Sequence, residues 1–447
     1  MGRGSRGWSS LCTALVFGAC ALAPPFERPA PTVAASAVPE APALVLRGGT
    51  VMTAAGPTLE RADVLVRGGE IAAVGVDLAV PANARSVDVT GRWITPGLID
   101  PHSHIGVYPL PHSPAHGDGN EASDPFTPEV RAVESFWPQD PVLRRAIAGG
   151  VTTIHVLPGS ANLVGGQGVT LRLRPKLAAR EMRFPDAPAS MKLACGENPK
   201  RVHGKLRKGA PQTRMGEVAM LRQELEDARA WAAERDAEEE TDYGHQALAA
   251  VVAGEIPIQN HCYRADEMLV RLELFSEFGI TPRAFHHAVE AYKIRDRLAA
   301  AGVGAVVWAD WWGVKLELLD AVPANAALLD SAGVVVALHS DSPRDVQWMN
   351  REAAKAMSAG RRSGLDVGPD DAIRWITANP AWILGIDGRV GTLEPGKDAD
   401  LVVWSGDPLS VYAQADLVFI EGELIHDRAS PELLGGSDFE LGHGGSR

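Results

Sequence analysis

Short apolar runs alternate with helical patterns through the middle of this 447-residue chain, from about residue 98 to residue 388. The runs include VTTIHVLP, SMKLACG, IPIQNHC, RAFHHAV, GAVVWAD and VVVALHSD. Buried strands that alternate with helices predict βαβ units and hence a parallel sheet. Roughly 290 residues and about eight such units favour an α/β fold of the closed (β/α)8 TIM-like barrel type over an open sheet.

Both ends of the chain differ from this middle segment, because they carry short strand patterns separated by glycine turns. Residues 43–97 contain ADVLVRGGEIAAVG, and residues 389–430 contain ADLVFIEGELIHD. Alternation of this kind indicates half-buried strands. We therefore expect the two segments to form one small composite β-sandwich beside a barrel of residues 98–388.

The first residues are typical of a targeting segment. Arg3 and Arg6 precede an apolar run from Leu11 to Ala23, which is too short to span a bilayer. Residues 1–23 are therefore predicted to be a signal peptide, and the Pro- and Ala-rich residues 24–42 a linker. This predicts export to the periplasm or the medium; the alternative is a dispensable tail on a cytoplasmic protein.

Charge and hydropathy exclude two classes of partner. The net charge of −13 provides no basic stripe for a nucleic acid, and no later stretch is apolar and long enough to be a transmembrane helix. The expected partner is a small-molecule substrate, and the sequence leaves homo-oligomer formation open. Beyond the predicted signal peptide, Cys195 and Cys262 are too few for the disulfide framework of a small exported domain, so stability is expected from core burial.

Metal-ligating residue types stand at the ends of several predicted strands. The first strand leads into PHSH, where His102 and His104 are two residues apart and therefore face the same side. Other strand ends offer His261, the pair His286 and His287, and Asp341. The carboxyl ends of barrel strands meet at one face, and imidazole nitrogen is a good zinc ligand. The pattern therefore predicts a metal site at that face.

One predicted strand, within SMKLACGENPKR, places Lys192 in an apolar run, where an unpaired ammonium is costly. In a purely structural interpretation the lysine reaches solvent or pairs with Glu197. In a functional interpretation its amine reacts with CO₂, and the resulting carbamate bridges two metal ions. Glu197 could supply a bridging carboxylate without any modification. The residues that follow it, Asn198, Lys200 and Arg201, could hold a substrate carboxylate.

The segments GLIDPHSH, GVTT and EPGKDADLVV together resemble the amidohydrolase superfamily, in particular its imidazolonepropionase-like branch, which includes metal-dependent dipeptidases. The resemblance extends from about Ala43 to Ile425 and implies a (β/α)8 barrel with a composite β-sandwich. It implies that His102 and His104 bind the more buried metal ion and that His261 and His287 bind a second one. Asp341 would ligate the first ion and accept the proton of the nucleophilic water.

Lys192 matches the lysine that is carboxylated in the binuclear members, so the resemblance favours it over Glu197 as the bridge and makes His286 a neighbour of the site. Imidazolonepropionases use one metal ion and no bridging lysine, so Lys192 favours two divalent ions. These ions are expected to be zinc, with manganese, cobalt or iron as other options.

The expected function is hydrolysis of a C–N bond in an amide, cyclic amide or dipeptide-like substrate by metal-activated hydroxide. The alternatives are a mononuclear deaminase or cyclic-imidate hydrolase, and a catalytically inactive amidohydrolase-like binding protein. The inactive protein would be expected to have lost ligands, and none of the predicted set is missing from the sequence.

Overall fold

The computed structural model describes residues 43–234, 241–311 and 313–434, so the predicted signal peptide and linker lie outside the described residues. The fold is α/β and contains two eight-stranded sheets. Among the described residues, no helix combines the length and the apolar character that crossing a bilayer requires.

The strands are numbered in chain order. They are β1 (Leu44–Val51), β2 (Leu59–Arg67), β3 (Glu70–Gly75), β4 (Arg85–Asp88), β5 (Trp93–Pro96), β6 (Leu98–Ser103), β7 (Val151–Val156), β8 (Val164–Arg172), β9 (Ser190–Ala194), β10 (Ile258–Cys262), β11 (Ala284–His287), β12 (Gly304–Val307), β13 (Val336–Leu338), β14 (Leu401–Trp404), β15 (Ala415–Ile420) and β16 (Glu423–Asp427).

The helices surround the second sheet or connect its strands. The α-helices are α1 (Ala132–Ser135), α2 (Val142–Ala148), α3 (Ala179–Met182), α4 (Glu197–Pro199), α5 (Arg214–Glu234), α6 (Tyr243–Val252), α7 (Ala265–Glu277), α8 (Arg295–Ala301), α9 (Asn325–Ser331), α10 (Met349–Arg362), α11 (Pro369–Arg374) and α12 (Ala378–Leu384). Short 3₁₀ turns cover Pro114–His116, Ala291–Ile294, Leu316–Leu318, Val346–Trp348 and Pro431–Leu434, and a π-helical segment covers Lys200–Leu206.

Both ends of the chain contribute to the first sheet, as the sequence predicted. Its strand order is β16-β15-β14-β5-β1-β2-β3, and β4 pairs with β1. The N-terminal and C-terminal strands meet where β5 pairs antiparallel with β14. Leu46, Val64 and Ile94 from the first segment share a buried core with Leu401 and Phe419 from the second.

The second sheet, β6 to β13, forms the barrel, and its strands lie side by side in sequence order. The first and last strands also approach each other, because the amide of Asp341 donates to the carbonyl of His102 at 3.3 Å. The Asp100 carboxylate accepts from both the amide and the hydroxyl of Ser340, which ties β6 to the segment after β13. This nearly closed sheet confirms the predicted TIM-like barrel.

Strand β8 departs from the parallel sheet that the sequence predicted, because it runs antiparallel to both β7 and β9. A parallel crossover needs a connection of about a dozen residues or more. Residues 157–163, which join β7 to β8, are too few for one, so the chain turns back as a hairpin. The other neighbouring strands of this sheet are parallel.

The barrel strands are apolar because both of their faces are covered. Every residue of β6, β7, β9, β10 and β11 is buried. This is the expected pattern for strands with a packed interior on one side and helices on the other. Helix α10 lies close to α9 because small residues face it: a Cβ atom on Gly360 would meet the Cβ of Ala327 at 2.5 Å.

A buried guanidinium connects the barrel to the C-terminal segment. Arg172 at the end of β8 forms ion pairs with Asp398 and Glu421 and lies over the ring of Phe184, with 4.1 Å between its Cζ and the ring centre. Removing one partner of such a buried pair typically costs about 3–5 kcal/mol. The barrel and the first sheet are therefore held together by charge as well as by apolar contact.

Candidate metal centre

The strand ends of the barrel bring the predicted ligands into one cluster. His102, Lys192, His261 and His287 lie in β6, β9, β10 and β11, and His104 and Asp341 follow β6 and β13. Neighbouring strands pair residue by residue, so that His261 is opposite His286 and Cys262 opposite His287. Side chains more than 200 positions apart in sequence therefore meet at one end of the sheet.

His102, His104 and Asp341 form the first group of donor atoms. The Nε2 atoms of the two histidines are 3.4 Å apart, and Asp341 Oδ1 lies 3.3 Å from His104 Nε2 and 3.8 Å from His102 Nε2. Two nitrogens that bind one zinc ion at about 2.1 Å with a near-tetrahedral angle are about 3.4 Å apart. The observed spacing therefore suits a shared cation.

A second group surrounds His287. Its Nδ1 lies 3.8 Å from Asp341 Oδ2, and its ring centre lies 4.4 Å from that of His261 and 5.0 Å from that of His339. Donor atoms of His102, His287 and His339 also lie within 4.8 Å of one another. Asp341 belongs to the first group and contacts the second, so the two groups form one continuous cluster.

A chain of hydrogen bonds defines which nitrogen of His102 carries a proton. Gln259 Nε2 donates to the carbonyl of Ile383, so its Oε1 faces His286 Nε2 at 2.6 Å and accepts a proton from it. His286 Nδ1 must then accept, and the atom 2.8 Å away, His102 Nδ1, donates. His102 Nε2 is therefore left with a lone pair that faces the cluster.

His104 is oriented in the same way by a different partner. Its Nδ1 donates to the carbonyl of Leu157 at 2.8 Å, which leaves the lone pair on Nε2. The lone pairs of His102 and His104 thus face each other, which is repulsive without a positive charge between them. Orientation of ligating histidines through the other ring nitrogen is typical of metal sites.

Other buried ring nitrogens of the cluster have no hydrogen-bond partner among the described residues. These are both nitrogens of His261, both of His339, and Nδ1 of His287. An unsatisfied buried polar group costs about 1–3 kcal/mol. By contrast, the buried His155, which lies outside the cluster, donates to or accepts from Thr170 Oγ1 and Ser190 Oγ at 2.9 and 2.8 Å. The unpaired nitrogens of the cluster fit divalent metal ions as their missing partners.

Burial controls the charges of the cluster. It lowers the pKa of His102 and of His261 well below the usual value, and the nearby positive charge of Lys192 lowers both further. The imidazoles are therefore neutral and able to ligate. Burial also raises the pKa of Asp341 and lowers that of Lys192, while the attraction between their opposite charges opposes both shifts.

Two of these residues have a left-handed backbone conformation. His287 has φ +68° and Asp341 has φ +48°. Such conformations cost non-glycine residues on the order of 1–3 kcal/mol and occur where the surrounding structure imposes them. They turn the chain sharply at the ends of β11 and the segment after β13, where both side chains face the cluster.

The structure places Glu197 outside this cluster. Its carboxylate forms an ion pair with Lys315, with 3.2 Å between Glu197 Oε1 and Lys315 Nζ. Lys192, by contrast, lies inside, with its Nζ 3.3 Å from His102 Nε2. Of the predicted substrate-binding residues, Asn198 accepts a hydrogen bond from Lys315, whereas Lys200 is half-buried and Arg201 exposed on the π-helical segment.

Two residues of this region, His339 and Lys315, were not among the predicted site residues. His339 stands two positions before Asp341, the same spacing that singled out His102 and His104, so the sequence did contain a signal for it. Lys315 lies in the loop after β12 and has no such signal. Its position near Glu197 depends on the path of that loop.

A disulfide joins Cys195 to Cys262, with 5.4 Å between the Cα atoms. It connects the residue after β9 to the last residue of β10, beside Lys192 and His261. The cysteine count predicted no disulfide framework, and the sequence alone did not indicate that these two residues pair. The bond covalently links two strands that carry cluster residues.

Aromatic rings cover one side of the cluster. The Trp308 ring stacks on the rings of His287 and Trp311, with 4.4 and 5.2 Å between centres, and the Tyr263 ring packs against those of His261 and His287 at 4.6 and 5.1 Å. Burying a polar cluster against aromatic faces excludes water and strengthens electrostatic interactions within it.

Comparison with known proteins gives three kinds of similarity. A model of the amidohydrolase family matches residues 317–425. The solved structure of an amidohydrolase from Thermotoga maritima is 38% identical and superimposes with a TM-score of 0.80 over 86% of this chain and 100% of that one. An amidohydrolase of Hapsidospora irregularis is 36% identical over 80% of this chain. The matched region covers only 39% of that relative's own length. An imidazolonepropionase of Maricaulis maris is 25% identical over 77% of this chain and 87% of its own.

Proposed function

This chain belongs to the amidohydrolase family, and from that premise we propose that it hydrolyses a C–N bond in an amide, cyclic amide or dipeptide-like substrate with the help of two divalent metal ions. The observation that carries the proposal is the cluster of neutral, unpaired or inward-facing imidazole nitrogens around Asp341. Proteins with one fold can catalyse several different reactions, so the proposed hydrolysis is argued from the residues of the site and not from the fold.

We assign the ligands from the first group of donor atoms and from the neighbouring rings of His261 and His287, as the family resemblance implied. His102, His104 and Asp341 would hold one ion, and His261 and His287 the other, with the carboxylated amine of Lys192 between them. Glu197 is the less favoured bridge because its carboxylate pairs with Lys315. Zinc suits this donor set, and manganese, cobalt and iron are also compatible with it.

Bound divalent ions would lower the pKa of a water molecule toward about 7 and polarise the scissile carbonyl. The protein's own contribution is made by Asp341, whose carboxylate lies 3.3 Å from His104 Nε2 and can hold the proton that water loses. Its raised pKa, caused mainly by burial, suits a group that accepts this proton and passes it to the leaving nitrogen. The aromatic rings of Tyr263 and Trp308 exclude bulk water from that transfer.

The test is a hydrolysis screen of the metal-loaded full chain over N-acyl amino acids, dipeptides and cyclic ureides, together with metal analysis of the same sample. We expect about two ions per chain, hydrolysis of at least one substrate class, and loss of activity when a chelator removes the metal. One ion per chain with deamination or cyclic-imidate hydrolysis would favour the mononuclear alternative. Bound metal with no hydrolysis of any compound would favour a binding protein.

We further propose that the chain is exported. The Cys195–Cys262 disulfide supports this, because disulfides persist in oxidising compartments and are rare in the cytosol. Mass spectrometry of the protein isolated from its native cells should find a mature chain that begins near residue 24. A full-length chain with both thiols reduced would contradict export.

A further inference from the structure

Lys315 lies beside the metal-ligand cluster, and the proposed hydrolysis does not yet use it. Its ammonium is 4.1 Å from the centre of the Tyr263 ring, and this ring packs directly against those of His261 and His287. The ammonium and two proposed metal ligands therefore contact the same aromatic ring. Burial is the main cause of the lowered pKa of His261. The positive charges of Lys192 and Lys315 lower it further, which agrees with the closeness of Lys315.

Fixed neighbours hold the ammonium in place. Asn198 Oδ1 accepts a hydrogen bond from Lys315 Nζ at 3.3 Å, and Asn198 Nδ2 donates to Ser160 Oγ at 2.8 Å, so the amide oxygen is directed toward the lysine. The buried carboxylate of Glu317 lies 4.0 Å away and is itself held by Arg214 and by the amide of Glu197. The position of the lysine thus depends on groups that a ligand need not disturb.

Glu197 is a counter-ion that can be exchanged. The side chains of Lys315 and Glu197 are 23% and 34% exposed, so both reach solvent. Among the described residues, Glu197 has no ion-pair partner other than Lys315. Ion pairs that reach solvent contribute little to stability, so the glutamate can turn into solvent at little cost. An incoming carboxylate could then occupy its position.

We propose that Lys315 binds the carboxylate of the substrate and that Glu197 is the internal counter-ion which this carboxylate displaces. The inference rests on the proposed C–N hydrolysis and narrows its substrate class. In an N-acyl amino acid or a dipeptide, the carboxylate is bonded to the carbon next to the scissile nitrogen, so it must lie close to the metal ligands. The site therefore favours amides whose amine part is an amino acid over neutral cyclic amides.

The test compares two ligands that differ only in the carboxylate, N-acetylglycine and N-acetylglycinamide. Their binding is measured by calorimetry on the metal-loaded Asp341→Asn protein, so the result does not depend on turnover. A charge-assisted hydrogen bond to a carboxylate corresponds to about 10- to 100-fold in affinity. We expect the acid to bind tighter than the amide by that factor. Adding Lys315→Met should remove the difference, whereas adding Glu197→Gln should strengthen acid binding.

Lys293→Met serves as the matched control, because Lys293 also forms ion pairs, and its partners among the described residues, Glu290 and Asp320, lie outside the cluster. It should leave both affinities unchanged, and unaltered metal content in all variants would show that the site is intact. Equal binding of acid and amide, or an equal loss of both in Lys315→Met, would overturn the proposal. Absence of hydrolysis by the unmodified protein would count against the proposed function alone.

Discussion

Asp341→Asn should retain close to the full metal content and lose hydrolysis by about 10²–10⁴-fold, the usual contribution of a general acid–base group. The amide keeps an oxygen where Asp341 Oδ1 lies 3.3 Å from His104 Nε2, so it can still ligate. It cannot accept a proton from water at neutral pH, and so the proton for the leaving nitrogen is missing. The measurements are kcat on the best substrate of the screen and metal analysis of the same preparation.

Asp345→Asn is the matched control for this variant. Asp345 lies in the same loop, but its carboxylate accepts a hydrogen bond from Ser342 at 2.7 Å and belongs to none of the groups of possible metal ligands among the described residues. Its activity should stay within a few-fold of the unmodified protein. If Asp341→Asn kept its activity, the role of Asp341 as proton acceptor would be wrong. If it lost its metal, Asp341 would be needed as a ligand, and its role in proton transfer would need a separate test.

The cluster could be predicted from the sequence because, in a barrel, the carboxyl ends of strands that are distant in the chain lie next to one another. His102 and Asp341 are distant in the chain, yet each stands where a buried apolar run ends. Parallel strands in register bring all such positions to one face of the sheet. Local patterns therefore sufficed for His102, His104, His261, Asp341 and the pair His286 and His287, since their proximity follows from the fold, whereas the choice of His287 over His286 rested on the family resemblance.

The features that could not be predicted from the sequence depend on geometry outside the regular strands. The hairpin that reverses β8 depends on a short connection within a glycine-rich segment, and helix–strand alternation alone gives no sign of it. Lys315 reaches Glu197 through a loop whose path no periodic pattern describes. The Cys195–Cys262 bond requires that two particular strand ends be adjacent, which is known only once the strand order is known. His339 differs, because its spacing of two residues from Asp341 is a local pattern that the sequence itself contains.

Lys192 is the residue of the cluster whose chemistry is least ordinary. Its side chain is only 1% exposed, and its amine is hydrogen-bonded to a histidine nitrogen, His102 Nε2, rather than to a carboxylate. A free ammonium at this place would repel the two divalent ions that we propose for the surrounding nitrogens. Addition of the neutral amine to CO₂ forms a C–N bond and releases one proton, which replaces a cation with a two-oxygen anion. The proposed carbamate would remove the buried positive charge and supply two oxygens to the proposed ions.

Lys192→Met, which preserves length and apolar packing but removes the amine, should bind at most about one ion per chain and lose at least about 100-fold in hydrolysis, because a bridging ligand is gone. Lys192→Glu, which supplies a carboxylate directly, should recover metal binding without added bicarbonate.

Metal loading of the unmodified apoprotein should increase with bicarbonate, and ¹³C-bicarbonate should give a carbamate signal by NMR. Lys293→Met, the lysine control away from the cluster, should match the unmodified protein. Two ions in Lys192→Met would refute the bridge, and loss of an ion in Glu197→Gln would then transfer that role to Glu197.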